Sequence, residues 1–223
     1  MGKDKLKRWA EMETFSNVFQ PAADFHSSDN ELKGKWQKDI FKNKNPLVLE
    51  LGCGRGEYTI GLAQRYTEKN FIGVDIKGAR MWRGAKTSAE NNIRNVAFLR
   101  TRIELIEKFF GNNEISEIWL TFPDPQPRNG RENRRLISPR FLEKYKQILT
   151  SKGLIHLKTD SLELFEYTTD VLKNQKGKLL FCSHDLYNSE GFDTDLSIQT
   201  TYEKIFRKEG KKICYLCFAF NRD

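Results

Sequence analysis

The chain has 223 residues, enough for one α/β domain with short extensions, and carries a formal net charge of +8 with a pI of about 9.2. No apolar run approaches the ~18 residues that a membrane helix needs, and the charged opening Met1 to Arg8 leads into no apolar signal stretch. No membrane span or export signal is expected and a cytoplasmic location is, while the excess of Lys and Arg makes a polyanion, nucleic acid first, the expected partner.

In chain order, residues 1–28 read as a polar, irregular and flexible arm, basic through Lys3, Lys5, Lys7 and Arg8. Residues 29–223 read as a single domain. A helix is expected over Asp29 to Phe41, then a short buried strand at Leu47 to Leu51. A glycine loop runs from Gly52 to Gly56 and continues as a helix from Glu57 to Arg65. Phe71 to Asp75 is the second strand, with a helix from Gly78 to Asn92. Val96 to Leu99 is the third strand, followed by a helix at Ile103 to Phe110. Ile115 to Phe122 is the fourth, and the stretch Pro123 to Arg135 is a loop rich in Pro, Asn and Arg.

Ser138 to Leu149 reads as a helix, with Ser138 as cap and Pro139 at its first position. Gly153 to Leu157 is the fifth strand. A helix runs from Ser161, its N-cap, to Asn174. Lys178 to Cys182 and Ile213 to Phe220 are the last strands, with a helix near Thr201 to Lys208. This alternation predicts a Rossmann-like α/β fold: a doubly wound, mostly parallel seven-stranded sheet with helices on both faces. The last strand can enter antiparallel. Cys214 and Cys217 have the spacing of half a zinc site. In a strand, residues three apart face opposite sides, and no second pair completes a tetrahedron, so no metal is expected.

In a doubly wound sheet, ligands bind beyond the carboxyl ends of the strands. Glu50-Leu-Gly-Cys-Gly-Arg-Gly56 lies at such an end. Gly52, Gly54 and Gly56 allow a tight turn and close approach of a ligand. Dinucleotide enzymes use similar glycines, but a carboxylate at Glu50 would repel a pyrophosphate and suits an ammonium and a sulfonium. Asp75 lies about 20 residues further, where an acid hydrogen-bonds ribose hydroxyls. Together they favour S-adenosylmethionine over a dinucleotide. Asp75 can also be read as a helix cap.

The fourth strand runs into Phe122-Pro123-Asp124-Pro125, then Arg128, Arg131, Arg134 and Arg135. This wording resembles the tRNA (guanine-N7)-methyltransferase family, in its bacterial single-chain type, as do Lys158-Thr-Asp160 and Thr200-Thr-Tyr202-Glu203, in the same order. The resemblance covers about residue 46 to the C-terminus. It implies a class I methyltransferase that moves a methyl group from S-adenosylmethionine to N7 of a tRNA guanine, at position 46 of the variable loop, and releases S-adenosylhomocysteine. It also implies that Glu50, Asp75 and Asp124 contact the cofactor, with Asp124 the acid of the catalytic site. Arg128, Asp160, Thr200, Tyr202 and Glu203 would contact substrate. Where the family usually has an acid or Asn near the adenine, this chain has Thr101-Arg102, so Arg102 is carried as the cofactor-side residue. Gln126-Pro127 also departs from the more frequent Trp-containing version.

The chemistry agrees. Guanine N7 has a free lone pair and no proton to lose, so no general base is required. A fixed carboxylate such as Asp124 stabilises the positive charge that moves onto the imidazole ring. Asp160 and Glu203 can accept from guanine N1 and N2. Arg128, Arg131, Arg134 and Arg135 form a clamp for anionic backbone. A monomer or weak homodimer is expected. The alternatives are another S-adenosylmethionine-dependent methyltransferase acting on a nucleobase amine, a protein or a small molecule; a non-catalytic RNA-binding protein on the same fold; and a nicotinamide-dependent oxidoreductase.

Overall fold

The computed structural model describes residues 2–22, 24, 26, 28–128, 130–190 and 195–221, with backbone alone at residues 2–4. The side chain of Lys3, one of the basic residues of the expected arm, thus lies outside the described residues. The chain divides into two compact units, Met1–Gly111 and Asn112–Asp223.

The first unit is parallel throughout. Strands β1 (Val18–Phe19), β2 (Leu47–Leu51), β3 (Asn70–Asp75) and β4 (Val96–Arg100) lie in the order β1-β4-β3-β2. All five residues of β2 are buried, as in a strand covered on both faces. Helix α2 (Glu57–Arg65) follows β2, and α3 (Gly78–Glu90) follows β3. β1 is too short to leave a periodic signal, and it brings the described strands to eight rather than the expected seven.

Three further expectations are corrected in this unit. Residues Gly2–Met12, read as irregular, form a helix, α1. Its packing comes largely from polar and charged side chains, which leave no apolar stripe to read: Arg8 lies over the Trp82 ring at 4.8 Å and Arg100 over the Trp9 ring at 4.5 Å. Met12 is buried, and the Glu11 carboxylate accepts from Trp82 Nε1 at 2.7 Å and from Lys86 at 2.8 Å on α3. Only residues Trp36–Phe41 of the expected Asp29–Phe41 helix are helical, as one π-turn. Gly34, at φ +73°, breaks the run before it. The buried Trp36 indole then donates to the Phe109 carbonyl at 2.8 Å and stacks on Phe110 at 5.3 Å. The helix expected at Ile103 to Phe110 is a 3-10 segment ending at Lys108, because Phe109 and Phe110 turn wholly into the core.

In the second unit the order is β5 (Ile115–Thr121), β6 (Leu149–Thr159), β8 (Cys214–Phe220), β7 (Gly177–Ser183). β5 and β6 are parallel, and β8 runs antiparallel to both its neighbours. Helices α4 (Pro139–Ile148), α5 (Leu162–Asn174) and α6 (Thr201–Lys208) complete the unit. β6 begins four residues before the expected Gly153, directly at the end of α4. Ser138 stands at the N-cap of α4, but its hydroxyl donates to the Asn133 carbonyl at 3.4 Å instead of capping. Ser161 does cap α5, accepting from the Leu164 amide at 3.2 Å. Cys214 and Cys217 are buried in β8. Among the described residues no helix is long and apolar enough to cross a membrane.

Candidate active site

Each unit carries its own part of the expected site at the carboxyl ends of its strands. In the first, Gly52, Gly54 and Gly56 all have left-handed backbones, at φ +80°, +56° and +69°. The amides of Gly52 and Cys53 both donate to the Val74 carbonyl at 2.8 and 3.1 Å, which ties the loop to the neighbouring strand. Asp75 clasps the same loop from the side. One carboxylate oxygen accepts from the Gly54 amide at 2.9 Å, the other from the Lys77 amide at 2.8 Å. The helix after it starts from Lys77, so Asp75 is a loop clasp and not its cap residue. Each carboxylate oxygen has a second lone pair, which leaves capacity for a hydroxyl.

Glu50 is 3% exposed, and its Oε2 accepts from the amide of Thr59 at 2.8 Å and from the Thr59 hydroxyl. Thr59 is the third residue of α2, whose N-cap is Gly56 and has no side chain to offer. The glutamate therefore supplies the helix start with the acceptor that glycine cannot, and brings a negative charge under the loop. The Cys53 thiol is pushed well above its ordinary value, first by burial and then by the charges of Glu50 and Asp75. The two carboxylates, Glu50 beneath the loop and Asp75 beside it, give the loop an acidic surround suited to a cation. An added Cβ at Gly54 would find nothing nearer than the Gly52 carbonyl at 3.9 Å, so the loop's open side has room for a ligand. The donor set fits S-adenosylmethionine. Arg102 faces solvent and pairs with Glu104 at 3.8 Å.

In the second unit, the chain leaves β5 through a constrained loop. Phe122 and Gln126, neither of them glycine, take left-handed φ of 50° and 47° on either side of Asp124. Such strain collects at functional sites and persists only where the surroundings over-determine it. The Phe122 amide donates to the Lys158 carbonyl at 2.7 Å, and its ring lies 5.8 Å from Phe206 of α6. Asp124 is exposed, and one of its oxygens accepts from the Gln126 amide at 3.0 Å. Arg128, Arg131 and Arg134 are exposed after it. Arg135, grouped with them from sequence, is buried and turns inward: its guanidinium bonds the loop's own carbonyls, Glu163 and the face of Tyr167. Arg128, Gly130, Glu132, Arg135 and Tyr167 line a cleft of about 470 Å³.

Asp160, at the end of β6, does not cap α5. It pairs with Lys211 at 3.0 Å. Thr200 caps α6, accepting from the Glu203 amide at 3.2 Å. Tyr202 is 46% exposed, while Glu203 is wholly buried. Glu203 Oε1 meets Lys158 Nζ at 2.7 Å and the Tyr187 hydroxyl at 2.7 Å, and its Oε2 has no hydrogen-bond partner. Lys158 and Tyr187 escaped the sequence reading. Lys158 is as buried as Glu203, donates to the carbonyls of Leu196 and Ile198 at 2.7 and 3.2 Å, and is held by burial below the ordinary lysine value. A lysine directly after the strand-like run Gly153 to Leu157 was the available signal.

Residues 44–216 match the family model described as "Putative methyltransferase". The chain is similar to the tRNA (guanine-N(7)-)-methyltransferase of Christiangramia forsetii, with 51% identity across 97% of each chain. It is 49% identical to that of Bacteroides fragilis over all of this chain and 88% of the other, and 44% identical to that of Cytophaga hutchinsonii over 99% of both. Among solved structures, it resembles the 16S rRNA methyltransferase KamB with a TM-score of 0.66, 14% identity and coverage of 86% of this chain and 96% of that one. A 16S rRNA (adenine(1408)-N(1))-methyltransferase from Catenulisporales acidiphilia aligns with a TM-score of 0.59, 13% identity and coverage of 90% and 98%. These structural likenesses establish the Rossmann-like α/β methyltransferase fold.

Proposed function

The chain belongs to the tRNA (guanine-N(7)-)-methyltransferase family, and from that premise we propose how its residues share the reaction. The enzyme transfers a methyl group to N7 of a guanine in tRNA. S-adenosylmethionine supplies the methyl carbon. Gly52, Gly54 and Gly56 give the donor a backbone cradle, Asp75 takes the ribose hydroxyls, and Glu50 sets the negative potential beneath them. Arg102 keeps its adenine-side place only through its backbone, since its guanidinium faces solvent.

Asp124 sits at the reacting base. N7 attacks through its lone pair without giving up a proton, so the residue's task is electrostatic: a fixed carboxylate against the positive charge that grows on the imidazole ring. Arg128, Arg131 and Arg134 take the tRNA backbone. Tyr202 and Thr200 lie beside the base, and Asp160 accepts from its N1 and N2 edge; Glu203, expected to share that task, is instead wholly buried against Lys158 and Tyr187. The base is G46 of the variable loop. The enzyme works in the cytoplasm, as a monomer or weak homodimer, without a metal.

The observation that carries this reading is Asp124 held between two left-handed residues beside a run of exposed arginines. The test is labelled methyl transfer to bulk tRNA from cells lacking the enzyme, followed by digestion to nucleosides and mapping of the product. 7-Methylguanosine at position 46 is expected. Transfer to another nucleoside, or full activity in Asp124→Asn, refutes the assignment.

A further inference from the structure

We propose that Arg135 is a positioning residue for methyl transfer, which acts on the protein's own catalytic loop and not on tRNA. The inference rests on the placement of Asp124 at the reacting base. The loop around Asp124 cannot hold itself. Pro123, Pro125 and Pro127 have no N–H to donate. Within the segment the Asp124 carboxylate and the Gln126 amide make one short turn. Phe122 and Gln126, which flank the Pro123-Asp124-Pro125 segment, stay left-handed without glycine's freedom. Something outside must oppose their return to an ordinary backbone.

Arg135 does this. Its Nε donates to the Pro125 carbonyl at 3.1 Å and one terminal nitrogen reaches the Gln126 carbonyl at 3.5 Å. These are the two carbonyls directly after Asp124. The guanidinium is itself fixed from two sides. Glu163, on the first turn of α5, takes the same terminal nitrogen at 2.5 Å, and the ring of Tyr167, one turn on, lies 4.4 Å beneath the guanidinium carbon. A planar fork that meets two carbonyls, a carboxylate and a ring leaves little for a phosphate, and the residue is only 9% exposed. Neighbouring Arg128, Arg131 and Arg134 are all exposed. One run of arginines thus divides by burial into three for RNA and one for the loop.

The test compares Arg135→Lys, Arg135→Met and Glu163→Gln with Arg134→Ala. The readouts are single-turnover rate on saturating tRNA, S-adenosylmethionine affinity, and the slope of log tRNA affinity against log salt. Arg135→Met lowers the rate on the order of 10²-fold, the loss that follows from a misplacement of about 1 Å. Arg135→Lys, which keeps one donor, recovers part of it. S-adenosylmethionine affinity and the salt slope stay at wild-type values, whereas Arg134→Ala lowers the slope by about one. Glu163 is a half-exposed partner, so Glu163→Gln folds even where Arg135→Met does not, and it shows a smaller loss in rate alone. A wild-type rate in Glu163→Gln and Arg135→Lys, or a slope reduced by about one in Arg135→Lys, overturns the proposal. So does a rate loss matched by lost cofactor affinity, which marks general unfolding. Wild-type protein with no transfer to guanine would overturn the reading of Asp124 instead.

Discussion

Replacing Gly56 by Ala separates two duties of the glycine loop. Gly56 has φ +69°, and an added Cβ would stand 2.6 Å from the Phe98 ring and 3.3 Å from the Cα of Gly84 on α3. Both neighbours are buried, and the Phe98 ring also lies 2.9 Å from the place of a Cβ on Gly73. The ring has no room to withdraw. A left-handed backbone costs an L-residue about 1–2 kcal/mol, and an extra methyl in a packed core adds about 1–3 kcal/mol. Gly56→Ala therefore loses about 2–5 kcal/mol. Gly54 is the matched control: φ is +56°, but its Cβ would meet nothing within 3.4 Å, so only the backbone penalty of about 1–2 kcal/mol remains. Thermal unfolding of the two variants without ligand measures the difference. At ~2–4 °C per kcal/mol for a chain of this size, Gly56→Ala should melt lower by roughly 2–12 °C. Cofactor titration should rank them oppositely, because the Gly54 methyl fills the open side of the loop. Equal melting temperatures, or a larger drop in Gly54→Ala, refute the packing argument.

The remaining expectations concern the buried polar groups of the second unit and the thiols. Lys158→Met leaves the Glu203 charge buried without its cation and should cost about 3–5 kcal/mol, while Lys158→Met with Glu203→Gln should recover much of it; chemical denaturation of both decides, and an uncorrected loss in the double variant contradicts the ion-pair account. The Tyr187 hydroxyl is pushed up to about 12 by burial and then by its bond to Glu203. The unfolded chain releases that proton near pH 10, so between about pH 10 and 12 the native state holds more protons and stability falls as pH rises. Tyr187→Phe should flatten that part of the stability curve, and unchanged curvature would show another group at work. A thiol reagent near pH 8 should label Cys182, which is exposed, well before Cys53, Cys214 and Cys217, which are buried, with the last two pushed up to about 11 mainly by burial. Peptide mass mapping after short exposure checks the order.

Periodicity and glycine chemistry are local, and they carried most of the first half of the site into view. Leu47 to Leu51 is apolar apart from Glu50, so it reads as a buried strand; three glycines in five positions read as a left-handed turn; and Asp75 falls at the next strand's end. The bounds of α2 and α6 follow from the same local rules. Elements without a period escaped. α1 is held by Met12, the Glu11 carboxylate and the cation–ring contacts of Arg8 and Trp9, and β1 has two residues. Gly34 ended a helix that its neighbours' pattern would have continued.

Which arginine is exposed and which turns into the protein is not a local property. Arg134 and Arg135 are adjacent and chemically identical, and Pro125 from the Asp124 loop and Glu163 and Tyr167 from α5, two other stretches of chain, set them apart. The same holds for Glu203, whose partner Lys158 lies 45 positions earlier on another element. Sequence alone determined the chemistry available at each position, because side-chain type and backbone freedom belong to the residue. Tertiary structure alone decided which charge was spent on folding and which was left for substrate, because burial and partners are set by contacts between residues far apart in the chain.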